Sequence, residues 1–218
     1  MKTATKDFDR KKSVVVLCIG ERVTVSIENY CMNNNIECHY LNINKDMEEL
    51  PRGNWILFGK PFYYKKFDGC TDDINWYGNY IVAESIADES RNDFKELLET
   101  VRKEYNCEHI ILIAGLGCFI ASAFAPVIAQ CINQLNLNAY SIMSMPYPFV
   151  NTEQGHRAFK SSNQVKIALK TKNILFNEYD DAVKNKPEIR KRFKQDPLKT
   201  SEELFIENLK YSLAKINS

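Results

Sequence analysis

The chain reads as an α/β protein of the Rossmann kind: a mostly parallel sheet with helices on both faces, three α/β/α layers, ending on a long C-terminal helix. Three observations predict this. Ser13 to Ile19 and His109 to Ala114 are continuous apolar runs, the pattern of strands buried on both faces. Strand patterns alternate with helical ones along most of the 218 residues, the order that parallel pairing through crossover helices requires. One strand runs straight into a small-residue turn and then a helical pattern, Ala114-Gly115-Leu116-Gly117-Cys118-Phe119-Ile120-Ala121-Ser122, which is the layout of a phosphate-binding turn.

The elements follow in order. After the first strand, Ser13 to Ile19, a helical pattern runs from Val23 to Asn33 and is broken by Asn33-Asn34-Asn35. Glu37 to Asn42 reads as a second strand and Trp55 to Phe58 as a third, ending at Gly59. Lys60 to Trp76 is aromatic and irregular. Tyr77 to Arg102 then reads as one long helix whose buried stripe is Phe94, Leu97, Leu98 and Val101. His109 to Ala114 is the next strand, Ala121 to Gln134 an apolar helix, and Asn138 to Met143 a strand closed by Pro146 and Pro148. Thr152 to Ser162 reads as a short helix and Ile174 to Phe176 as a strand ending at Asn177. Asp180 to Lys199, charged and holding Pro187 and Pro197, reads as a surface connector. The last helix, Ser201 to Ile216, takes Ser201 as its N-cap with Glu202 and Glu203 in the first turn. Residues 1–12 read as an N-terminal tail and 13–218 as a single domain.

Composition excludes several classes. Lys and Arg (29) nearly cancel Asp and Glu (28), so no global field points to nucleic acid or an anionic membrane. No apolar run approaches the roughly 20 residues of a membrane span, and Met1 to Asp7 lacks an apolar signal core, so a cytoplasmic protein without membrane insertion is expected. The seven cysteines are scattered without close Cys-x-x-Cys pairs and read as reduced packing residues. His39, His109 and His156 are far apart, so no metal site is expected. No Ser-His-Asp or Cys-His pattern stands out, and no catalytic residue is assigned.

The phosphate-type turn lacks the glycines that its chemistry needs. Such cradles work when small residues let backbone N–H groups converge on an anion at the positive end of a helix. Cys118, Phe119 and Ile120 put bulk there, and β-branched Ile120 resists positive-φ conformations.

The order of these pieces resembles the N-terminal, GTP-binding half of the tubulin/FtsZ family, from Ser13 to Ile216. That family's loop G-G-G-T-G-[ST]-G sits inside a frame A-G-x-G-G-G-T-G-T-G-A-A-P-V. Ala114, Gly115, Gly117, Ser122, Ala125, Pro126 and Val127 keep the frame, while only Gly117 survives as glycine within the seven-residue signature. Met145-Pro146-Tyr147-Pro148-Phe149 looks like the family's Pro-Phe-x-Phe turn, Glu153 and Arg157 keep its Glu and Arg four residues apart, and Asn177 matches its base-reading Asn. The resemblance implies that Glu153 and Arg157 lie near a ribose, Asn177 reads guanine, Phe205 stacks on the base and Asn208 offers a second base contact. Glu153 and Arg157 also read as an ordinary helix ion pair. Gly20, Gly117 and Ser122 would stand on the phosphate side. The residues themselves specify no cofactor; GTP or GDP is the one that the resemblance allows.

The glycine cradles depart from the family. Gly20 is followed by Glu21-Arg22-Val23, and the loop before the long helix reads Cys70-Thr71-Asp72-Asp73-Ile74-Asn75. An aspartate about 4 Å from a phosphate oxygen costs on the order of 4 kcal/mol at an effective dielectric of 20. Arg22, Lys60, Lys65 and Lys66 stand against that cost. The family's hydrolytic acids follow its central helix on a loop that would begin where this sequence ends, at Ser218, and no counterpart of its activation domain is expected within it.

The expectation is therefore an FtsZ/tubulin-like cytoskeletal or cell-division protein with a degenerate GTP site. It would be a non-hydrolysing binding or scaffold subunit whose partner is a filament-forming homologue or another copy of itself. Two alternatives remain open: a divergent GTPase completed by a partner subunit, or a Rossmann-like protein with an unrelated ligand. The apolar positions of the last helix, Leu204, Phe205, Leu209, Tyr211 and Leu213, either pack back on the sheet or meet a partner. The aromatic cluster of Trp55, Phe58, Phe62, Tyr63, Tyr64, Phe67, Trp76, Tyr77 and Tyr80 is either a binding surface or a partly buried loop core.

Overall fold

Six parallel strands form one sheet in the order β3-β2-β1-β4-β5-β6. The computed structural model describes residues 14–19, 24–42, 55–57, 80–116, 119–146, 152–170, 173–177, 188, 191 and 197–217. The strands are β1 (Val14–Ile19), β2 (Glu37–Asn42), β3 (Trp55–Leu57), β4 (His109–Gly115), β5 (Asn138–Met145) and β6 (Asn173–Asn177). The helices are α1 (Thr24–Asn33), α2 (Tyr80–Glu89), α3 (Arg91–Glu104), α4 (Phe119–Gln134), α5 (Thr152–Leu169) and α6 (Pro197–Asn217). The two continuous apolar runs of the sequence are the central pair, in register from Val14 opposite His109 to Ile19 opposite Ala114. A strand covered on both faces has no use for polar alternation, which is why these two carry none.

Each face of the sheet has its own core. On one, Val15, Leu17, Ile19, Ile110, Leu112 and Ala114 meet α2, α3, α4 and α5. On the other, Val16, Cys18, Ile111, Ile113 and Ile142 meet Ile27 and Cys31 of α1 and Leu204, Phe205, Leu209 and Ile216 of α6. The expected three layers are present. The apolar stripe of α6 packs back on its own sheet, while Tyr211 lies outside that stripe, 56% exposed. Helix α4 is buried almost all round: Ala121, Ala123, Ala125 and Ala129 let its neighbours approach, and Phe124 meets Phe94 of α3 edge to face at 5.7 Å. Pro126 lies inside α4, where it withholds the N–H that the Ser122 carbonyl would accept in a regular helix. Cys18, Cys31, Cys107 and Cys131 are buried and outside any disulfide, and burial pushes the thiols of Cys107 and Cys131 above the ordinary cysteine range.

Several elements differ from the sequence reading. The single helix expected over Tyr77 to Arg102 is two, α2 and α3, meeting at buried Ser90. The Ile86 carbonyl there accepts both the Ser90 N–H at 3.0 Å and the Ser90 hydroxyl at 2.8 Å, a back-bond that bends a helix. Arg91 fixes the bend by donating to Gln130 at 2.6 Å and Asp88 at 2.7 Å. Helix α5 continues beyond Ser162 to Leu169, because Ala158, Ser161, Ser162, Val165, Ala168 and Leu169 form one buried stripe. Hydroxyls at two of these positions hide the stripe from a hydrophobicity reading. The last helix starts at Pro197, not at Ser201 as its N-cap, since proline is pre-set for the first helical position, where its missing N–H costs nothing. Most of the connector expected over Asp180 to Lys199, and all of the aromatic segment Lys60 to Trp76, lie outside the described residues.

Candidate functional site

In a sheet of this order the chain moves outward from β1 to β2 and β3 on one side and from β4 to β5 and β6 on the other. The crevice at such a reversal, beyond the carboxyl ends of the strands, is where α/β sheets take ligands. Register sets the strand ends along that edge: Ile19 opposite Ala114, Gly115 opposite Ser144, Met145 opposite Asn177. Gly20, the residue after Ile19 in the sequence, and Gly117, the residue after Leu116, lie outside the described residues.

Two groups of the β4–α4 turn are bonded within the fold. The Leu116 N–H donates to the Ser144 carbonyl of β5 at 3.0 Å, prolonging the β4–β5 ladder by one bond. The Leu116 carbonyl accepts the Ser122 hydroxyl of α4 at 2.6 Å. Leu116, Ser122 and Ser144 are each at most 2% exposed. The Ser122 hydroxyl is thus spent on the turn's own backbone. Leu116 and Ser144 gave no signal in the sequence, because their pairing exists only once β5 lies beside β4.

Glu153 and Arg157, one turn apart on α5, are brought together at 2.8 Å, with the Arg157 side chain 19% exposed and that of Glu153 71%. The Arg157 guanidinium lies over the ring of Tyr80 at the start of α2, 5.1 Å from its centroid, and the Lys160 ammonium lies 6.0 Å from the same centroid. Lys160 in turn bonds Glu84 of α2 at 2.9 Å. Burial first, and the Glu84 carboxylate second, push the Tyr80 phenol above its ordinary range, with Arg157 pulling the other way. Together these contacts clasp α2 to α5. Tyr80 was legible only as one aromatic among nine.

Phe205 is 1% exposed within the α1–α6 core, so its ring would have to leave that core to stack on a base. Asn208 is half-buried, and its amide donates to the Leu204 carbonyl at 2.8 Å, inside its own helix. Asn177 ends β6 at the carboxyl edge. The Glu153–Arg157 pair and Phe205 belong to opposite faces of the sheet, so a ligand reaching both must straddle its edge. Among the described residues no three His, Cys, Asp or Glu side chains stand together as a metal set. No described helix is long and apolar enough to cross a membrane.

No protein-family model matches the chain, and no curated protein matches it by sequence. Solved structures do match by shape. An FtsZ dimer from M. jannaschii, described as empty, superposes with a TM-score of 0.68 at 18% identity, over 96% of this chain and 57% of that one. CetZ2 from Haloferax volcanii, in a GTPγS-bound protofilament, gives 0.68 at 15% identity over 93% and 58%. The GDP-bound phage tubulin PhuZ gives 0.59 at 10% identity over 94% and 57%. The chain therefore has the fold of FtsZ- and tubulin-type structures and spans less than two thirds of the length of these three.

Proposed function

We propose that this chain is a tubulin-like cytoskeletal or cell-division protein that binds or scaffolds other subunits without hydrolysing nucleotide, acting in the cytoplasm. One observation carries the reading: the Leu116 N–H and the Ser122 hydroxyl of the β4–α4 turn bond inward. A cradle for a triphosphate needs converging N–H donors that face the ligand. The Leu116 N–H faces β5, and the Ser122 hydroxyl faces the turn's own carbonyl. The bulk of Cys118, Phe119 and Ile120 and the aspartates Asp72 and Asp73 support the same conclusion from sequence. Gly20, Gly117, Glu153, Arg157, Asn177 and Asn208 then mark a vestigial guanine-nucleotide pocket, with Phe205 turned into the core. The partner is a filament-forming homologue or another copy of the chain, by analogy with the CetZ2 protofilament.

The test is to purify the full chain without added nucleotide, measure guanine nucleotide in an acid extract by mass spectrometry, and follow phosphate release from GTP. Substoichiometric nucleotide and no release above background are expected. Stoichiometric GDP or GTP with sustained phosphate release would overturn the reading.

The exposed Glu153 carboxylate, held beside Arg157 on the helix that leaves the carboxyl edge, favours a second reading: a divergent GTPase completed by a partner subunit. Arg157→Ala should then abolish GTP binding, and an unchanged affinity discards it.

A further inference from the structure

Helices α2 and α5 meet over α4, joined by the Lys160–Glu84 ion pair, and each turns a different surface outward. The outer face of α5 carries His156, Phe159, Asn163, Lys166 and Ile167, with Lys170 just beyond, a stripe of helical spacing that holds no acid after the exposed Glu153 of the first turn. Phe159 is 61% and Ile167 74% exposed. The outer face of α2 carries Ile81, 76% exposed, with Ser85, Glu89, which accepts the Ser85 hydroxyl at 3.1 Å, and Asp88, which is paired with Arg91 at 2.7 Å. An apolar and basic strip therefore runs beside an apolar and acidic one.

We infer that this surface pairs with the same surface of a second copy of the chain, α2 of each copy lying on α5 of the other. The charge pattern selects that partner. A two-fold axis running between the helices, parallel to both, carries the acidic strip of one copy onto the basic strip of the other, twice per dimer. Such self-complementarity is what an isologous interface requires. Ile81 then lies at the height of Phe159, with Asp88 and Glu89 at that of Lys166 and Ile167, and the opposed charges set the register. An anionic membrane fits less well, because a flat surface against α5 also meets Asp88 and Glu89. The inference goes beyond the proposed function and does not rest on it: the paired faces lie on the helical layer, away from the carboxyl edge, and need no nucleotide.

Sedimentation of the full chain without nucleotide tests it, at low and high ionic strength. A dimer that dissociates as salt rises is expected. Lys166→Glu with Lys170→Glu, and separately Glu89→Lys, which leaves the Arg91–Asp88 pair in place, should each weaken it by about tenfold or more. Mixing the two charge-reversed chains should restore a heterodimer, since both contacts regain opposite signs. Phe159→Ser, which leaves the charges alone, should also weaken the dimer, and circular dichroism verifies that each variant is folded. The inference is overturned by a chain that stays monomeric at about 100 μM and low salt, or by a dimer indifferent to both reversals.

Discussion

The two edges of the sheet are built on different terms. At the amino edge, where helices return to strands, one device recurs. Helices α1, α3, α4 and α5 each end at a residue of positive φ: Asn35 at 53°, Asn106 at 46°, Asn136 at 52° and Lys170 at 53°. After α1, Ile36 donates to the Cys31 carbonyl at 2.9 Å; after α3, Cys107 donates to Arg102 at 3.1 Å; after α4, Leu137 donates to Ile132 at 3.1 Å. These are helix-capping bonds that turn the chain and hand an apolar residue to the next strand. At the carboxyl edge the β4–α4 turn is held instead by a bond to a neighbouring strand and a serine hydroxyl. An edge that only has to turn the chain can reuse one solution. At two positions to which the family resemblance assigns a ligand, the Ser122 hydroxyl bonds the Leu116 carbonyl and the Phe205 ring lies in the α1–α6 core.

The sharpest way to break that comparison is Phe205→Ala. If Phe205 is a core residue, the truncation should cost about 3–5 kcal/mol of stability, read from urea or thermal unfolding by circular dichroism. A variant with unchanged stability that loses affinity for a guanine nucleotide would return Phe205 to the ligand. Ser122→Ala comes next. It leaves the buried Leu116 carbonyl without its hydroxyl donor, so a loss of about 1–3 kcal/mol is expected, with no change in nucleotide content.

The amino edge makes the complementary prediction. Asn136 sits at a positive φ that asparagine tolerates and a β-branched residue does not. Asn136→Val should cost about 1–2 kcal/mol, while Asn136→Gly should be close to neutral in the same unfolding assay. Equal losses in both would mean that the side-chain amide, not the backbone conformation, holds this turn.

These contrasts also explain what could be read from the sequence. The central strands were legible because burial on both faces leaves an uninterrupted apolar run, and the alternation of elements gave the layers. Asn33-Asn34-Asn35 announced the end of α1, since the same residue type that breaks a helix caps it. The bend at Ser90 was hidden, because a serine in a helical pattern looks like any polar surface residue until its hydroxyl is seen on the Ile86 carbonyl. The second half of α5 was hidden by Ser161 and Ser162, whose burial follows from packing against α4 and not from hydrophobicity. At the site, the Glu153–Arg157 pair was legible from its four-residue spacing. The clasp of Arg157 on Tyr80 was not, because it joins positions 77 apart in the sequence.

The smallest expected effect separates the two edges most cleanly. Gly115 ends β4 at the carboxyl edge, and a Cβ built there meets the Ser144 hydroxyl oxygen at 3.6 Å, an ordinary contact. If this glycine only continues the strand, Gly115→Ala should change stability by less than about 1 kcal/mol, in the stabilising direction through the lower entropy of the unfolded chain. It should leave every binding property of the chain as it was. If the glycine is there to let the backbone approach a phosphate, the added methyl group stands in the ligand's path, and any nucleotide affinity should collapse while the unfolding curve stays in place. Measuring both on one variant therefore reads the turn as scaffold or as site.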